Sequence, residues 1–226
     1  MTIADDVRSL LDGAGDRERA AKQRAYMKSA MPYRGLTSPE LTTALRPVLR
    51  AYRPQSRGQW EGDVRDLWDA ATHREEWYAA LAVAKVRAAR PWRDADCLPL
   101  ARHLITTGAW WDVVDDIATH VVRDALDADP AEVTPILLAW ARDDDPWVRR
   151  TAVICQVGRR ERIDLDLLGH ALEANLDDTT FWLRKAIGWA LRDLSGTDPD
   201  WVRAFVDAHA GRLSGLSRRE ALTRLG

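Results

Sequence analysis

Three charged residues, one acidic and two basic, recur at a fixed spacing in this sequence. Asp115, Arg150 and Lys185 follow one another at intervals of 35 residues. The spacing belongs to a repeat, since the segment Trp147–Arg150 (WVRR) returns as Trp182–Lys185 (WLRK). Repeats of about 20–50 residues are typical of solenoids, in which equivalent positions of successive units lie side by side. We therefore predict that a carboxylate and two cations share one wall of a repeat array, where they could stabilise charge that develops on a substrate.

Two tryptophans belong to the same constellation. Trp111 lies four residues before Asp115 and Trp189 lies four residues after Lys185, so each pair shares one helix face. Indole faces attract cations, which suits the recognition of a positively charged group. Two structural interpretations stay open, because tryptophans of helical repeats usually pack in the core and an Asp–Arg pair can simply join neighbouring repeats.

The elements that must position these side chains are all predicted to be helices. About a dozen segments joined by short loops indicate an all-α fold, a superhelical solenoid of about six HEAT-like antiparallel helix pairs with a concave binding face. We expect Ser38 to be the N-cap of one helix, a second helix to run from Trp110 to Leu126, and Ser217–Glu220 to form a capping box. The length predicts a single domain over residues 1–226.

The composition argues against several classes of protein. With 30% charged residues and no long apolar run, no membrane span is predicted, and the acidic start Met1–Asp6 does not resemble a signal peptide, so we expect a cytoplasmic protein. Two cysteines and five histidines without ligand spacing predict neither a disulfide framework nor a metal site. No glycine-rich nucleotide motif points to a cofactor.

The net charge of −2 conceals a basic stretch. Residues 17–57 carry ten Arg or Lys against two Glu, whereas residues 109–145 carry ten acids against two Arg. Nucleic-acid binding depends on a local basic surface and not on the net charge. A nucleic-acid partner therefore stays compatible with the composition, although an arginine-rich helix face can also be merely solvated.

Three motifs carry a resemblance to a known family: Trp110–Asp115 (WWDVVD), Trp147–Arg150 and Lys185–Arg192 (KAIGWALR). In this order and at this separation they resemble the DNA alkylation-repair glycosylases built of HEAT-like repeats, the AlkD type. The likeness runs from Arg24 to Ala221. It implies a concave DNA-binding face and the excision of cationic alkylpurines, chiefly N3-alkyladenine and N7-alkylguanine, from duplex DNA.

The resemblance also implies roles for individual residues. The implied catalytic group consists of Asp115, Trp111, Trp189 and Arg150. Its carboxylate would stabilise an oxocarbenium-like transition state and orient the attacking water. The implied DNA contacts are Tyr26, Lys28, Thr37, Ser38, Arg149 and Lys185, with Thr37-Ser38 standing where the family commonly has Gln-Thr.

The chemistry implied by the resemblance needs little besides these residues. Such an enzyme is monofunctional, needs no cofactor or metal, and does not flip the base, unlike most enzymes that act on bases. A site without an enclosing pocket should not reject large adducts, so bulky alkylpurines are candidate substrates too. We expect a monomer, because a solenoid that grips duplex DNA needs no partner copy.

Two other functions are compatible with the pattern. A non-catalytic HEAT-repeat protein that binds distorted or branched DNA would be expected to lack Asp115 or one of the two tryptophans. A protein-binding HEAT adaptor would be expected to present an apolar or acidic face in place of Arg150 and Lys185. A salt titration separates these two, because DNA affinity falls steeply as salt rises.

Overall fold

The computed structural model describes residues 2–225, and every regular element among them is helical. The prediction of an all-α fold is therefore confirmed. The chain divides into two compact units, an N-terminal unit Met1–Trp92 and a C-terminal unit Arg93–Gly226. The single domain expected over residues 1–226 stays a prediction.

The described part of the N-terminal unit forms five α-helices and a short 3₁₀ segment. The helices are α1 (Ile3–Leu11), α2 (Arg17–Met27), α3 (Ser38–Ala51), α4 (Arg57–Asp69) and α5 (Arg74–Ala84), and the 3₁₀ segment is Arg87–Trp92. Trp60 on α4 is fully buried, and its indole N–H donates to the Val83 carbonyl at 3.3 Å. The apolar residues Val7, Leu11 and Val64 complete a core that is shut off from solvent.

Helix α3 starts one residue earlier than the sequence suggested. Thr37 is the N-cap and forms a capping box with Glu40, which leaves Ser38 as the first helical residue and Pro39 as the second. The expectation that Ser38 caps this helix was wrong, because Thr37 is the residue that stands three positions before a glutamate.

The connection between α2 and α3 is held by a buried carboxylate. Glu75 on α5 is 1% exposed and accepts hydrogen bonds from the backbone N–H groups of Arg34, Gly35 and Leu36 at 2.9–3.3 Å. Gly35 has φ +91°, and a Cβ there would lie 2.0 Å from a neighbouring carbonyl oxygen. The chain therefore enters α3 along a fixed path.

The C-terminal unit contributes nine further α-helices among its described residues. They are α6 (Leu98–Gly108), α7 (Trp111–Asp116), α8 (Arg123–Ala128), α9 (Pro130–Trp140), α10 (Pro146–Ile154), α11 (Leu165–Glu173), α12 (Phe181–Leu194), α13 (Pro199–Ala208) and α14 (Gly215–Leu222). A π-helical segment, Ile117–Val122, joins α7 to α8. The helix expected from Trp110 to Leu126 is therefore continuous but has a wider turn in its middle.

Four helices of this unit follow one another as packed neighbours. Helix α10 packs against both α7 and α12, and α12 packs against α14. Each of α7, α10, α12 and α14 occupies the equivalent place in its repeat, so the 35-residue period of the sequence is repeated in the packing.

The last of these helices begins differently from the prediction. Helix α14 has Ser214 as its N-cap, whose hydroxyl accepts the Ser217 backbone N–H at 3.0 Å. The predicted capping box over Ser217–Glu220 was wrong, because Glu220 turns its carboxylate towards Lys185 and Arg192 instead.

Membrane-spanning helices and metal sites were both not expected from the sequence. Among residues 2–225, none of the helices combines the length and the apolar character needed to cross a bilayer. Over the same residues, no group of three or more histidine, cysteine or acidic side chains converges in a way that could hold a metal ion.

Candidate active site

A bidentate ion pair joins two neighbouring repeats at the centre of the candidate site. Arg150 on α10 donates from Nε to Oδ1 of Asp115 at 2.7 Å and from Nη2 to Oδ2 at 2.8 Å. A third N–H of Arg150, on Nη1, donates to the Trp182 carbonyl on α12. The guanidinium therefore connects α7, α10 and α12, and it fixes the plane of the Asp115 carboxylate.

The carboxylate of this pair is partly accessible although its partner is not. The Asp115 side chain is 18% exposed, whereas that of Arg150 is 6% exposed. Each oxygen of a carboxylate can accept about two hydrogen bonds, so each Asp115 oxygen keeps an acceptor position besides the one that Arg150 uses. An exposed edge of a fixed carboxylate is able to bind water or to face a developing positive charge.

Opposing influences act on the protonation of Asp115. Burial raises the pKa of Asp115 above its ordinary value, and the charge of Asp112 adds to this rise. The hydrogen bonds and the positive charge of Arg150 lower the pKa and offset part of the effect. The net direction is upwards, because removal from water is the largest influence.

The helix changes its geometry directly after this carboxylate. The π-helical segment Ile117–Val122 begins two residues beyond Asp115, and the Thr119 hydroxyl donates to the Asp115 carbonyl at 2.7 Å. Single π-helical turns within α-helices are frequent at functional sites. Sequence periodicity does not reveal such a turn, and none was predicted here.

The two tryptophans of the constellation are both half-buried. Trp111 lies one turn before Asp115 on α7, and Trp189 lies one turn after Lys185 on α12. Among residues 2–225, neither indole has a hydrogen-bond or ring partner. Both tryptophans are thus partly exposed, and neither belongs to an aromatic cluster among the described residues.

Lys185 has a different ion-pair partner from the one that the 35-residue period suggested. Its Nζ binds Oε1 of Glu220 at 2.7 Å, and Arg192 binds the other oxygen of that carboxylate. Lys185 is not an ion-pair partner of Asp115; the structure places Glu220, one period further on, beside it. The side chain is 38% exposed, so one face of the ammonium group still meets solvent.

The Asp115–Arg150 pair is one of several ion pairs with the same separation. Carboxylates and cations 35 residues apart also meet at Asp127–Arg162, Asp177–Arg212 and Lys185–Glu220. These contacts join successive repeats, as the structural interpretation of an Asp–Arg pair requires. Two parallel hydrogen bonds also join Asp177 and Arg212. Asp115–Arg150 differs from the other pairs by the burial of its arginine, since Arg162, Arg212 and Lys185 are 64%, 48% and 38% exposed.

Arg149 lies next to Arg150 but has another environment. Its Nη1 donates to the Asp143 and Asp144 carbonyls, and its Nη2 donates to Oδ2 of Asp178 at 2.8 Å. The guanidinium thus joins the loops before α10 and α12. Its side chain is 19% exposed.

An aromatic cluster that the sequence analysis did not predict lies at the starts of three neighbouring helices. Trp110, Trp147 and Trp182 have ring centroids 5.4–6.1 Å apart, and Phe181 packs on Trp182 at 5.0 Å. The Trp110 indole N–H is buried without a hydrogen-bond partner among the described residues. The repeated Trp147 and Trp182 could have indicated the cluster, because equivalent positions of adjacent repeats lie side by side.

The four candidate DNA contacts of the N-terminal unit lie around the α2–α3 connection. Tyr26 is 79% exposed, and Lys28 ends α2 in the left-handed conformation with φ 50°. The Thr37 hydroxyl is used by the capping box, whereas Ser38 is exposed. Of this set, Tyr26, Lys28 and Ser38 present exposed side chains.

Gly188 allows α12 and α14 to approach closely at the Lys185–Glu220 pair. A Cβ at this position would lie 2.5 Å from the Glu220 Cβ and 3.2 Å from the Ser217 carbonyl oxygen. Gly188→Ala is therefore expected to lower the free energy of unfolding by about 1–3 kcal/mol through overpacking. Denaturant titration measures the loss.

A matched control for this change is Gly169→Ala on α11. Its Cβ would make only an ordinary contact at 3.9 Å, so the variant is expected to be neutral or more stable by up to about 1 kcal/mol. Equal stability of the two variants would show that the helix approach at Gly188 is not tight.

Comparisons with known proteins agree with a DNA repair context. A family model described as "DNA alkylation repair enzyme" matches residues 7–225, which includes every candidate residue named above. The structure is similar to that of a predicted DNA alkylation repair enzyme from Enterococcus faecalis, with 26% sequence identity and a TM-score of 0.84. That similarity covers 94% of this chain and 97% of that one.

Two more distant solved structures share the fold. The protein smu.31 from Streptococcus mutans has 13% identity and a TM-score of 0.65 over the full length of both chains. Pseudomonas fluorescens alkylpurine DNA glycosylase AlkC, bound to DNA containing an abasic site analog, has 18% identity and a TM-score of 0.52. This second match covers 99% of the present chain and 61% of AlkC. No curated protein shows significant sequence similarity to the chain.

Proposed function

Because the chain belongs to the family of DNA alkylation repair enzymes, we propose that it is a DNA glycosylase of the AlkD type. It would hydrolyse the N-glycosidic bond of cationic alkylpurines in duplex DNA, with N3-alkyladenine, N7-alkylguanine and bulky alkylpurines as candidate lesions. The observation that carries the proposal is the partly exposed carboxylate of Asp115, fixed by two hydrogen bonds from a buried arginine and lying one turn from an unpartnered indole.

The chemistry of the reaction matches the charge of this group. An alkylated purine carries a positive charge and leaves without protonation, so the reaction needs no general acid. As the glycosidic bond breaks, positive charge moves to the sugar and gives an oxocarbenium-like transition state. Asp115 is proposed to stabilise that charge and to orient the water that attacks the sugar, using the acceptor positions that Arg150 leaves open.

The tryptophans and Arg150 have supporting roles in this proposal. Trp111 and Trp189 would face the cationic base and the sugar, because an indole face attracts a cation that has lost part of its hydration. Arg150 acts as a positioning residue, since its buried guanidinium holds Asp115 and counteracts the rise of the Asp115 pKa. Tyr26, Lys28, Thr37, Ser38, Arg149 and Lys185 are the proposed DNA contacts.

The test is the release of free base from duplex DNA that contains N7-methylguanine. The proposal expects release by the native protein without strand cleavage, because no lysine acts as a nucleophile. A covalent adduct trapped with borohydride would contradict the monofunctional mechanism. Absence of base release from N7-methylguanine and from N3- and N7-linked bulky adducts alike would contradict the glycosylase proposal.

A second function is favoured by the other ion pairs with a 35-residue separation. If Asp115–Arg150 only joins repeats, as Asp127–Arg162 does, the chain would be a non-catalytic protein that binds distorted or branched DNA. Tight, salt-sensitive binding to damaged duplexes with no base release would support this alternative.

Trp189→Ala is expected to slow single-turnover excision about 10-fold, since a desolvated cation–π contact contributes about 1–2 kcal/mol to the transition state. Thermal stability should change little, because the indole has no aromatic partner among the described residues. Trp201→Ala is the matched control. Trp201 is half-buried but stacks on Phe205 at 5.1 Å, so its loss should lower the melting temperature and leave excision intact. A lower melting temperature with intact excision in Trp189→Ala would show that Trp189 is a core residue.

A further inference from the structure

A basic groove in the N-terminal unit takes no part in the constellation around Asp115. It is an open cavity of about 530 Å³ between the end of α3 and the 3₁₀ segment Arg87–Trp92. Its lining residues are Leu49, Arg50, Tyr52, Arg53, Val86, Arg87 and Ala88. Three guanidinium groups and no carboxylate therefore line the groove, and Leu49, Val86 and Ala88 are its apolar lining residues.

Further arginines continue both walls of the groove. On α3, Arg46 and Arg50 are four residues apart, which places them on one helix face, and Arg53 follows just after the end of this helix. On the 3₁₀ segment, Arg87 and Arg90 are three residues apart and project in the same direction, because that helix has three residues per turn. All five side chains are exposed.

These five arginines are also uncompensated. None of them forms an ion pair with an acidic residue among residues 2–225. Asp63 lines the adjacent cavity together with Arg53, and it accepts the Tyr52 hydroxyl at 2.6 Å. Three exposed arginines of the C-terminal unit, Arg162, Arg203 and Arg212, in contrast each bind a carboxylate.

A favourable interaction with the α3 dipole does not account for the groove. Cations within the last turn of a helix are stabilised by about 0.3–1 kcal/mol, and Arg53 also donates to the Arg50 and Tyr52 carbonyls. Arg46 lies more than a turn before the end of α3, however, and Arg87 and Arg90 belong to another element. Five cations without acidic partners, on α3, directly after it and on the 3₁₀ segment, repel one another, and a bound anion would reduce this repulsion.

We propose that this groove, lined by Arg50, Arg53 and Arg87 and flanked by Arg46 and Arg90, is a second DNA-binding surface that holds the phosphodiester backbone of one strand. Arg46 and Arg50 are separated by about 6 Å along α3, which corresponds to about two phosphates of a strand with a rise of about 3.4 Å. The apolar lining residues Leu49 and Val86 suit the sugars between the phosphates. The surface would add affinity that does not depend on sequence or on damage.

The proposal rests on duplex DNA as the substrate, as in the proposed function, but it does not require base excision. The test therefore uses undamaged duplex DNA, whose affinity for the protein is measured over a range of salt concentrations. The variant Arg46→Gln/Arg50→Gln/Arg87→Gln leaves Arg53 and its two carbonyl bonds in place. Because each lost phosphate contact reduces the slope of log K against log salt by about 0.9, we expect a slope that is less steep by about 2–3.

The control variant, Arg162→Gln/Arg203→Gln/Arg212→Gln, has the same change in net charge. Its arginines are already paired with acidic residues, so the slope should stay close to that of the native protein. A native slope in the groove variant, or an equal change in the control, would overturn the proposal. If the triple groove variant does not fold, Arg50→Gln and Arg87→Gln are measured singly, each with an expected change of about 0.9.

The outcome is separable from that of the proposed function. If the protein shows the expected slope changes but releases no base from any alkylpurine substrate, the groove proposal is supported and the glycosylase proposal is contradicted. If the protein excises N7-methylguanine and the groove variant keeps the native slope, only the groove proposal is contradicted.

Discussion

Asp115→Asn is expected to reduce the single-turnover excision of N7-methylguanine by about 100- to 1000-fold, which is the typical loss when one preorganised group that stabilises a transition-state charge is removed. Asparagine has nearly the same shape and retains an oxygen that can accept from Arg150. The change therefore removes the negative charge while it preserves most of the packing around α7. Affinity for DNA with an abasic-site analogue is expected to stay near that of the native protein.

The control for this variant is Asp127→Asn. Asp127 also pairs with cations of the next repeat, Arg159 and Arg162, and its side chain is 23% exposed, which is close to the value for Asp115. If the Asp115–Arg150 pair only joins repeats, the two variants should lose similar stability and neither should lose excision selectively. Equal loss of excision and of abasic-DNA affinity in Asp115→Asn would assign Asp115 a structural role.

Arg150→Ala is expected to lower the free energy of unfolding by about 3–5 kcal/mol, because it leaves the largely buried carboxylate of Asp115 without its partner. Denaturant titration measures this loss. Arg162→Ala is the control, since Arg162 is 64% exposed and an exposed ion pair contributes about 0–1 kcal/mol. Similar losses in the two variants would contradict the special role of the buried pair.

Arg150 is also expected to influence the pH dependence of excision. Only the ionised form of Asp115 can stabilise a cation, so activity is lost as the pH falls through the raised pKa of Asp115. Loss of Arg150 removes the two influences that lower this pKa, and the pKa must rise further. The acid limb of the pH–rate profile is therefore expected to move to higher pH in Arg150→Ala, and Arg150→Lys, which retains a charge, should move it less.

A limb that does not move in Arg150→Ala, or that moves to lower pH, would show that another group titrates. Arg150→Lys keeps this test available if Arg150→Ala does not fold. A merely structural role of Arg150 would lower stability and leave the profile unchanged.

The repeat in the sequence predicted the neighbours Asp115 and Arg150 correctly, but it did not identify the partner of Lys185. The period predicted that Asp115 and Arg150 lie on the same wall, and the structure places them in direct contact. It also suggested that Lys185 belongs to this group, whereas Lys185 pairs with Glu220. Extending the period once more, from 185 to 220, would have found this partner, but Glu220 had been assigned to a capping box.

Other parts of the fold were not accessible from the sequence. Helical segments follow from hydrophobic spacing and capping residues, and about a dozen were predicted where the described residues form 14 α-helices, of which α1 was not predicted. The π-helical turn after Asp115 depends on tertiary packing and leaves no periodic signal. The groove of the N-terminal unit requires α3 and the segment after α5 to be adjacent, which local patterns do not encode. The roles of the candidate site residues stay predictions.

The ion pairs between repeats also bear on how each unit folds. Those of the C-terminal unit join residues about one repeat apart, as Asp115–Arg150 and Lys185–Glu220 do. The N-terminal unit instead brings Arg8 onto Glu76, 68 residues away. Doubling a loop costs only about 0.6 kcal/mol of closure entropy, so the difference concerns folding rate more than stability. Folding of the C-terminal unit can begin at any adjacent pair of repeats and propagate in both directions. The Arg8–Glu76 pair of the N-terminal unit, in contrast, can form only after a loop of 68 residues has closed.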